Sequence, residues 1–333
     1  MARLRWLPRM LVACLGLALL PAAALALDLQ GHRGARGLAP ENTLAGVATA
    51  LGIGVTTLEL DLGMTRDSTV VVTHDPRLSP DLTRTADGSW VEPPGPALAE
   101  LTLEELKGFD VGRIRPGSDY AARYPEQRPV DGAAVPTLAE VAELVRKAGN
   151  RAVRFNLETK LSPHAPGLTP EPEEFATAVV EAVEGAGIAR RTTIQSFDWR
   201  TLQAVQALTP EITLACLTAE QSWLDNVGRG RSGASPWTGG LDVDQFDGDV
   251  AALVAAAGCD IWSPYAGDID RAAVRSAHRH GLRVIVWTVN DPAEMERLIE
   301  LRVDGIITDY PDRLRTVMAA QGLALPAPTP VEP

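Results

Sequence analysis

Short β-branched or apolar runs alternate with longer amphipathic runs along almost the whole chain, and this constrains the fold more than any other feature. Such alternation is the signature of βαβ units feeding a parallel sheet. Strand candidates lie at 27–31, 57–61, 70–74, 153–158, 193–197, 213–217, 260–263, 283–289 and 304–308, nine in all. Helix candidates lie at 41–51, 138–148, 173–186, 199–208, 247–257, 270–280, 292–301 and 311–321, eight in all. The surplus strand is 70–74. Too few residues separate it from its predecessor for a parallel crossover, which needs about a dozen or more. A turn at Arg66-Asp67-Ser68 makes it the return strand of a hairpin centred near Asp67, which sets His74 across from Leu60. The remaining strands and helices then pair off as an α/β fold of the (β/α)8 TIM type, with the β-hairpin at its C-terminal mouth.

Two stretches break the alternation. Residues 76–135, rich in Pro, Gly and Asp, are too long for an ordinary connection and read as a small insertion over the mouth. Residues 218–243, rich in Gly and Ser with Trp223 and Trp237, are a second lid candidate. The barrel is expected over 27–322, and the Pro- and Ala-dominated tail at 323–333 is expected to be disordered.

Residues 1–26 differ in kind from the rest of the chain. Arg3, Arg5 and Arg9 precede an apolar run over 10–20, and Ala24-Leu25-Ala26 has the form of an export cleavage site. The segment reads as a signal peptide, so the chain is expected to be exported, periplasmic or secreted, with no stable membrane insertion after cleavage. Hydrophobic content of 45% and charged content of 22% argue against a disordered or polytopic membrane chain. A net charge of -12 disfavours nucleic acid as a partner. Beyond the leader only Cys216 and Cys259 remain. Read at opposite ends of parallel strands, they are expected to stay free and buried.

In a parallel barrel the chemistry sits at the C-terminal ends of the strands, and the polar residues concentrate there. The first strand runs into Gly31-His32-Arg33-Gly34, the second carries Glu59 and Asp61, the hairpin returns at Thr73-His74-Asp75, and the next strand ends in Glu158-Thr159-Lys160. A spacing of two puts Glu59 with Asp61, and Glu158 with Lys160, on one side of their strands. Three carboxylates at one mouth raise each other's pKa unless a cation compensates. The all-oxygen set suits one hard divalent cation, Ca²⁺ or Mg²⁺, better than zinc. The plain alternative is a structural ion-pair network with Lys160, Arg33 and Arg154. Two histidines beside a metal and two cations fit phosphodiester hydrolysis: cations hold the phosphate, one imidazole deprotonates the nucleophile and the other protonates the leaving alkoxide. His164, His278 and His280 lack such company.

The ordered set Gly31-His32-Arg33-Gly34, Pro40-Glu41-Asn42-Thr43, Glu59-x-Asp61, Thr65-x-Asp67, His74-Asp75, Pro136-Thr137-Leu138, Glu158-x-Lys160, Gln195-Ser196-Phe197, Trp287-Thr288-Val289-Asn290 and Gly305 through Pro311 resembles the glycerophosphodiester phosphodiesterase family, over about residues 28–320. The resemblance implies a phospholipase C-like barrel with metal ligation by Glu59, Asp61 and Glu158. It also implies acid/base histidines at His32 and His74, phosphate-binding cations at Arg33 and Lys160, and an aromatic near the glycerol site at Trp287. It implies hydrolysis of a small-molecule glycerophosphodiester to glycerol 3-phosphate and an alcohol, Ca²⁺ as the common metal of exported members, and His32 as base with His74 as acid. Two other readings stay open: a lysophospholipid phosphodiesterase of the same superfamily, and a non-catalytic exported ligand-binding barrel.

Overall fold

A computed structural model describes residues 27–333, so the leader expected over 1–26 lies outside the described residues. The elements run in order as β1 (Asp28–Gly31), α1 (Leu44–Ile53), β2 (Thr57–Met64), β3 (Val70–Val72), α2 (Leu103–Leu106), α3 (Asp119–Arg123), α4 (Leu138–Lys147) and β4 (Arg154–Thr159). Next come α5 (Pro172–Gly185), β5 (Thr192–Ser196), α6 (Trp199–Leu208), β6 (Thr213–Thr218), β7 (Glu220–Gln221) and β8 (Leu224–Asp225). The chain closes with α7 (Val250–Ala256), β9 (Ile261–Pro264), α8 (Arg271–Arg279), β10 (Arg283–Val286), α9 (Pro292–Glu300), β11 (Gly305–Thr308) and α10 (Pro311–Ala320). Strands β1, β2, β4, β5, β6, β9, β10 and β11 pair in parallel, and β1 bonds to both β2 and β11, which closes a (β/α)8 barrel. β3 lies antiparallel on the upper half of β2, with Leu62 opposite Val72 and Met64 opposite Val70. That register is centred on Asp67, so the hairpin delivers His74 to the mouth as its turn predicts.

Local chemistry accounts for the helix starts. Thr43, Thr137, Asp198, Asp249, Asp270 and Asp291 each accept a backbone N–H of the first turn, satisfying donors that a helix leaves unpaired. Pro292 and Pro311 occupy the first helical position, where a missing N–H costs nothing.

The two-residue period of the strands sorts side chains into two cores. Leu58, Leu60 and Leu62 of β2 join Phe155, Leu157 and Ile194 in the layer between strands and helices. The opposite faces line the barrel interior, which is divided. Ala215, Ile261, Ile285 and Ile307 form a small apolar cluster on one side. On the other, Asn156 Nδ2 donates to Gln30 Oε1 and Gln195 Oε1, each at 2.9 Å, and Gln195 Nε2 donates to Glu59 Oε1 at 2.7 Å. This column of amides is the platform on which the polar mouth rests.

The 76–135 excursion has a core of its own. Val71 of β3 packs with Leu78, Leu98, Leu106 and Val135, fixing the insertion beside the hairpin. The 218–243 stretch contains the β7–β8 hairpin and is tied down by buried Asn226, whose Nδ2 donates to Leu217 O and whose Oδ1 accepts from Ala219 N.

Two features depart from expectation. Cys216 and Cys259 form a disulfide, with Cα atoms 6.0 Å apart. Cys216 is not at the end of its strand but fourth of six residues in β6, on the face turned to the helices. The turn after α7 brings Cys259 against that outer face, where Asp260 N donates to Leu214 O at 2.9 Å. The length of the barrel axis therefore never separates them. The 323–333 tail carries no helix or strand, but it is bound to the barrel's surface. Thr329 N donates to Leu51 O, Arg315 Nη1 to Pro326 O and Asn150 Nδ2 to Thr329 Oγ1. Its prolines exclude regular structure, yet its carbonyls remain available as acceptors.

Candidate active site

The mouth holds a cavity of about 190 Å³ lined on one side by His32, Arg33, Arg36, Glu59, His74, Glu158 and Lys160, and on the other by Phe197, Leu217, Trp287 and Ile307. All eight residues singled out from the sequence come together here; Asp61 lies beneath the lining, fully buried. Arg154 does not join them. It sits at the start of β4 and pairs with Asp28 at 2.9 Å.

Glu59, Asp61 and Glu158 come from two adjacent strands, with Asp61 directly opposite Glu158 in the ladder. Each offers an oxygen within 4.8 Å of the others'. Oxygens bound to one Ca²⁺ lie at most about 5 Å apart, so the spacing fits a shared cation. A second observation agrees: Asp61 Oδ1 is buried with no hydrogen-bond partner, Lys160 Nζ standing 3.7 Å away. Burial, and then the charges of Asp61 and Glu158, push the Glu59 carboxyl well above the usual carboxylate range. Burial acts on Asp61 in the same direction, but Arg33, His74 and Lys160 outweigh it and hold Asp61 below its usual range.

The two histidines are built alike. His32 Nδ1 meets Asp309 Oδ1 at 2.6 Å, leaving Nε2 turned toward Glu59, 3.9 Å from its Oε2. His74 Nδ1 meets Asp75 Oδ1 at 2.7 Å. A carboxylate on Nδ1 fixes the tautomer and frees Nε2 for proton transfer. Burial and the nearby Arg36 bring the His32 pKa down to about 4; burial, Arg33 and Lys160 lower that of His74. Asp309 stays ionised well below the usual range, because His32 and Arg36 outweigh its burial.

Arg33 sits on a strained backbone at φ 51°. Its N–H donates to Glu59 Oε2 at 2.9 Å, and its Nε lies 3.1 Å from Asp61 Oδ2. Lys160 Nζ donates to Glu158 Oε1 at 2.6 Å. Trp287 is held edge-on to Phe197, ring centroids 5.3 Å apart, by an Nε1 bond to Ser263 O.

Several members of the site carry no role in the sequence reading. Asp309, Asn290, Gln195, Asn42 and Glu41 all lie within the quoted motifs, but alternation along a strand says which way a side chain points and not what it meets. Arg36, held by Asp309 through Nε at 2.9 Å and Nη2 at 3.2 Å, had no signal beyond its closeness to His32.

Comparison with known proteins bears on this constellation. The model of the glycerophosphoryl diester phosphodiesterase family matches residues 32–313. A glycerophosphodiester phosphodiesterase of Bacillus subtilis (strain 168) is 31% identical over 86% of this chain and 84% of its own length. One of Caldanaerobacter subterraneus subsp. tengcongensis is 28% identical over 87% and 97%. The crystal structure of a candidate glycerophosphoryl diester phosphodiesterase from Silicibacter pomeroyi DSS-3 superposes with a TM-score of 0.79 at 34% identity, covering 90% of this chain and 95% of that one. An Oleispira antarctica phosphodiesterase in complex with its product sn-glycerol-3-phosphate shares the fold, with a TM-score of 0.62 at 24% identity over 88% and 97%. A barrel of this topology, these motifs in this order and a match over most of the chain identify it as an enzyme of the glycerophosphoryl diester phosphodiesterase family.

Proposed function

We propose that the chain hydrolyses soluble glycerophosphodiesters to glycerol 3-phosphate and an alcohol, with His32 and His74 as the acid/base pair. The observation that carries this is the matched pair of carboxylate-bound imidazoles beside one cavity lined by Glu59 and Glu158, with Asp61 buried beneath them, and by the cations Arg33, Arg36 and Lys160. The product seen in the Oleispira antarctica phosphodiesterase is the one this reaction releases.

His32, neutral above its lowered pKa, takes the proton of the glycerol 2-hydroxyl, whose oxygen attacks phosphorus. The bond from phosphorus to the alcohol breaks, and His74 gives its proton to that alkoxide. Water then opens the cyclic phosphate with the two roles exchanged, restoring both imidazoles. Arg33 and Lys160 hold the phosphate oxygens. These same cations depress the His74 pKa, so an anion bound between them moves His74 toward the protonated form its role needs. Glu59, Asp61 and Glu158 would hold the divalent cation, Ca²⁺ in this proposal, and the bound ion supplies charge stabilisation at the phosphate. Export through the 1–26 leader completes the reading, and the Cys216–Cys259 disulfide suits an oxidising compartment.

A second reading has one observation in its favour. Trp223, 58% exposed on the β7–β8 hairpin, stands edge-on to Tyr265 at 5.4 Å and to Trp287 at 6.2 Å, an aromatic rim that an acyl chain could use. Parallel assays on glycerophosphocholine and a short-chain lysophosphatidylcholine decide between them. The proposal expects faster choline release from the former, with sn-glycerol 3-phosphate as co-product; preference for the latter overturns it.

A further inference from the structure

The Pro40-Glu41-Asn42-Thr43 motif is only partly used by the roles above. Asn42 Nδ2 donates to Asp61 Oδ2 at 2.8 Å, but Glu41 touches none of the acid trio. Its side chain is 9% exposed and receives Arg33 Nη1 on Oε1 at 2.5 Å. The Arg33 guanidinium is thus suspended between two carboxylates, Glu41 at Nη1 and Asp61 at Nε. Glu41 Oε2 accepts a short hydrogen bond from the hydroxyl of Tyr120. Tyr120 belongs to α3, inside the excursion, and its hydroxyl also accepts from Arg36 Nη1 at 3.4 Å.

The chain after Tyr120 continues the same grip. Arg36 lies 4.7 Å over the Tyr124 ring, Gln127 Nε2 donates to Arg36 O at 2.7 Å, and Arg128 N donates to Leu38 O at 2.9 Å. Residues 120–128 therefore clasp the β1–α1 loop that carries both arginines of the cavity. That loop needs support, because Arg33 and Asn42 both adopt left-handed backbone, φ 51° and 53°, which non-glycine residues hold only where neighbouring bonds enforce it.

We propose that Tyr120 and Glu41 are positioning residues for Arg33: the excursion's tyrosine fixes Glu41, and Glu41 holds the guanidinium toward the substrate phosphate. Without Glu41, the carboxylate left to Arg33 is Asp61, so the guanidinium is drawn into the acid trio and away from the anion. Without the Tyr120 hydroxyl, Glu41 keeps its charge but loses its second anchor, so the effect is milder. The excursion is then part of the phosphate site and not merely a cover over the mouth. This rests on the reading that Arg33 binds the substrate phosphate.

The test uses the full-length protein equilibrated with Ca²⁺. Binding of sn-glycerol 3-phosphate is measured by calorimetry, beside kcat and KM for glycerophosphocholine, in wild type, Tyr120→Phe and Glu41→Gln. Tyr120→Phe is expected to raise Kd and KM together by about tenfold, the loss of one hydrogen bond to a charged group, with kcat within about twofold and an unchanged melting temperature. Glu41→Gln is expected to raise both further. Unchanged Kd and KM in Tyr120→Phe, or a fall in kcat at constant KM, overturns the proposal, and so does a wild type that does not bind the probe. If wild type binds the probe but leaves glycerophosphocholine intact, the proposed function fails, while the Kd values still decide the role of Tyr120 and Glu41.

Discussion

Asp309 Oδ1 lies 2.6 Å from His32 Nδ1 across 277 residues of sequence, joining the end of the last strand of the barrel to the end of the first. The carboxylate is held in turn by Arg36 and by Asn290 Nδ2 at 2.7 Å, so the imidazole has one orientation. Asp309→Asn keeps the shape but removes the charge that supports an imidazolium. It should lower kcat by roughly 10²-fold or more, within the range of general acid–base catalysis, with little change in KM. Steady-state kinetics on glycerophosphocholine check this, and a wild-type kcat refutes the dyad.

In the proposed mechanism His74 is the acid of the first step, a role that matters there only when the leaving group needs a proton. His74→Ala should cost most of the ~10²–10⁴-fold such catalysis supplies on choline release from glycerophosphocholine, yet little on single-turnover release of p-nitrophenolate from the corresponding glycerol phosphodiester, a step that precedes the opening of the cyclic phosphate by water. His32→Ala should injure both substrates alike. Equal losses for His74→Ala on the two substrates, with the p-nitrophenyl substrate selectively spared in His32→Ala, would reverse the assignment.

Histidine titration offers a check independent of turnover. In metal-free protein the His32 ring should titrate near 4, well below the ordinary 6.5, because burial and Arg36 disfavour its charged form. The unfolded chain takes up this proton at higher pH than the folded one. The contribution of neutral His32 to stability is thus complete above pH 6.5 and is lost as pH falls toward about 4. NMR titration of the imidazole resonances measures the pKa, and a His32 value at or above 6.5 contradicts the geometry.

The disulfide closes a loop with a sequence separation of 43 residues. Chain-entropy arguments give such a crosslink about 4 kcal/mol, so Cys216→Ser with Cys259→Ser should lower unfolding free energy by an amount of that order. Non-reducing peptide mapping should show the crosslinked peptide. Two free thiols in protein recovered from an oxidising compartment contradict it.

Much of this site was legible because strand periodicity is strict. Glu59 and Asp61 two apart, and Glu158 and Lys160 two apart, had to share a face, and the turn at Asp67 fixed where His74 would arrive. What escaped was pairing between distant elements. His32 meets Asp309 only because β1 closes against β11, and Glu59 meets Gln195 across the barrel interior, neither of which local pattern encodes. Strand order alone sets the two cysteines at opposite ends of the barrel axis, whereas Cys216 turns outward in mid-strand and Cys259 reaches it from a turn outside the barrel. Tyr120 escaped because α3 is five residues long with none of them buried, so no apolar stripe announced it.

The central claim is that the acid trio, occupied by a divalent cation, and the histidine pair together release glycerol 3-phosphate. The most direct measurement is sn-glycerol 3-phosphate formation from glycerophosphocholine by purified wild type and Glu59→Gln, each assayed after chelation and again after Ca²⁺ is restored. We expect wild-type activity to vanish on chelation and return with Ca²⁺, and Glu59→Gln to bind Ca²⁺ more than about 100-fold more weakly and regain little. Full wild-type activity after chelation, or an unimpaired Glu59→Gln enzyme, would contradict it.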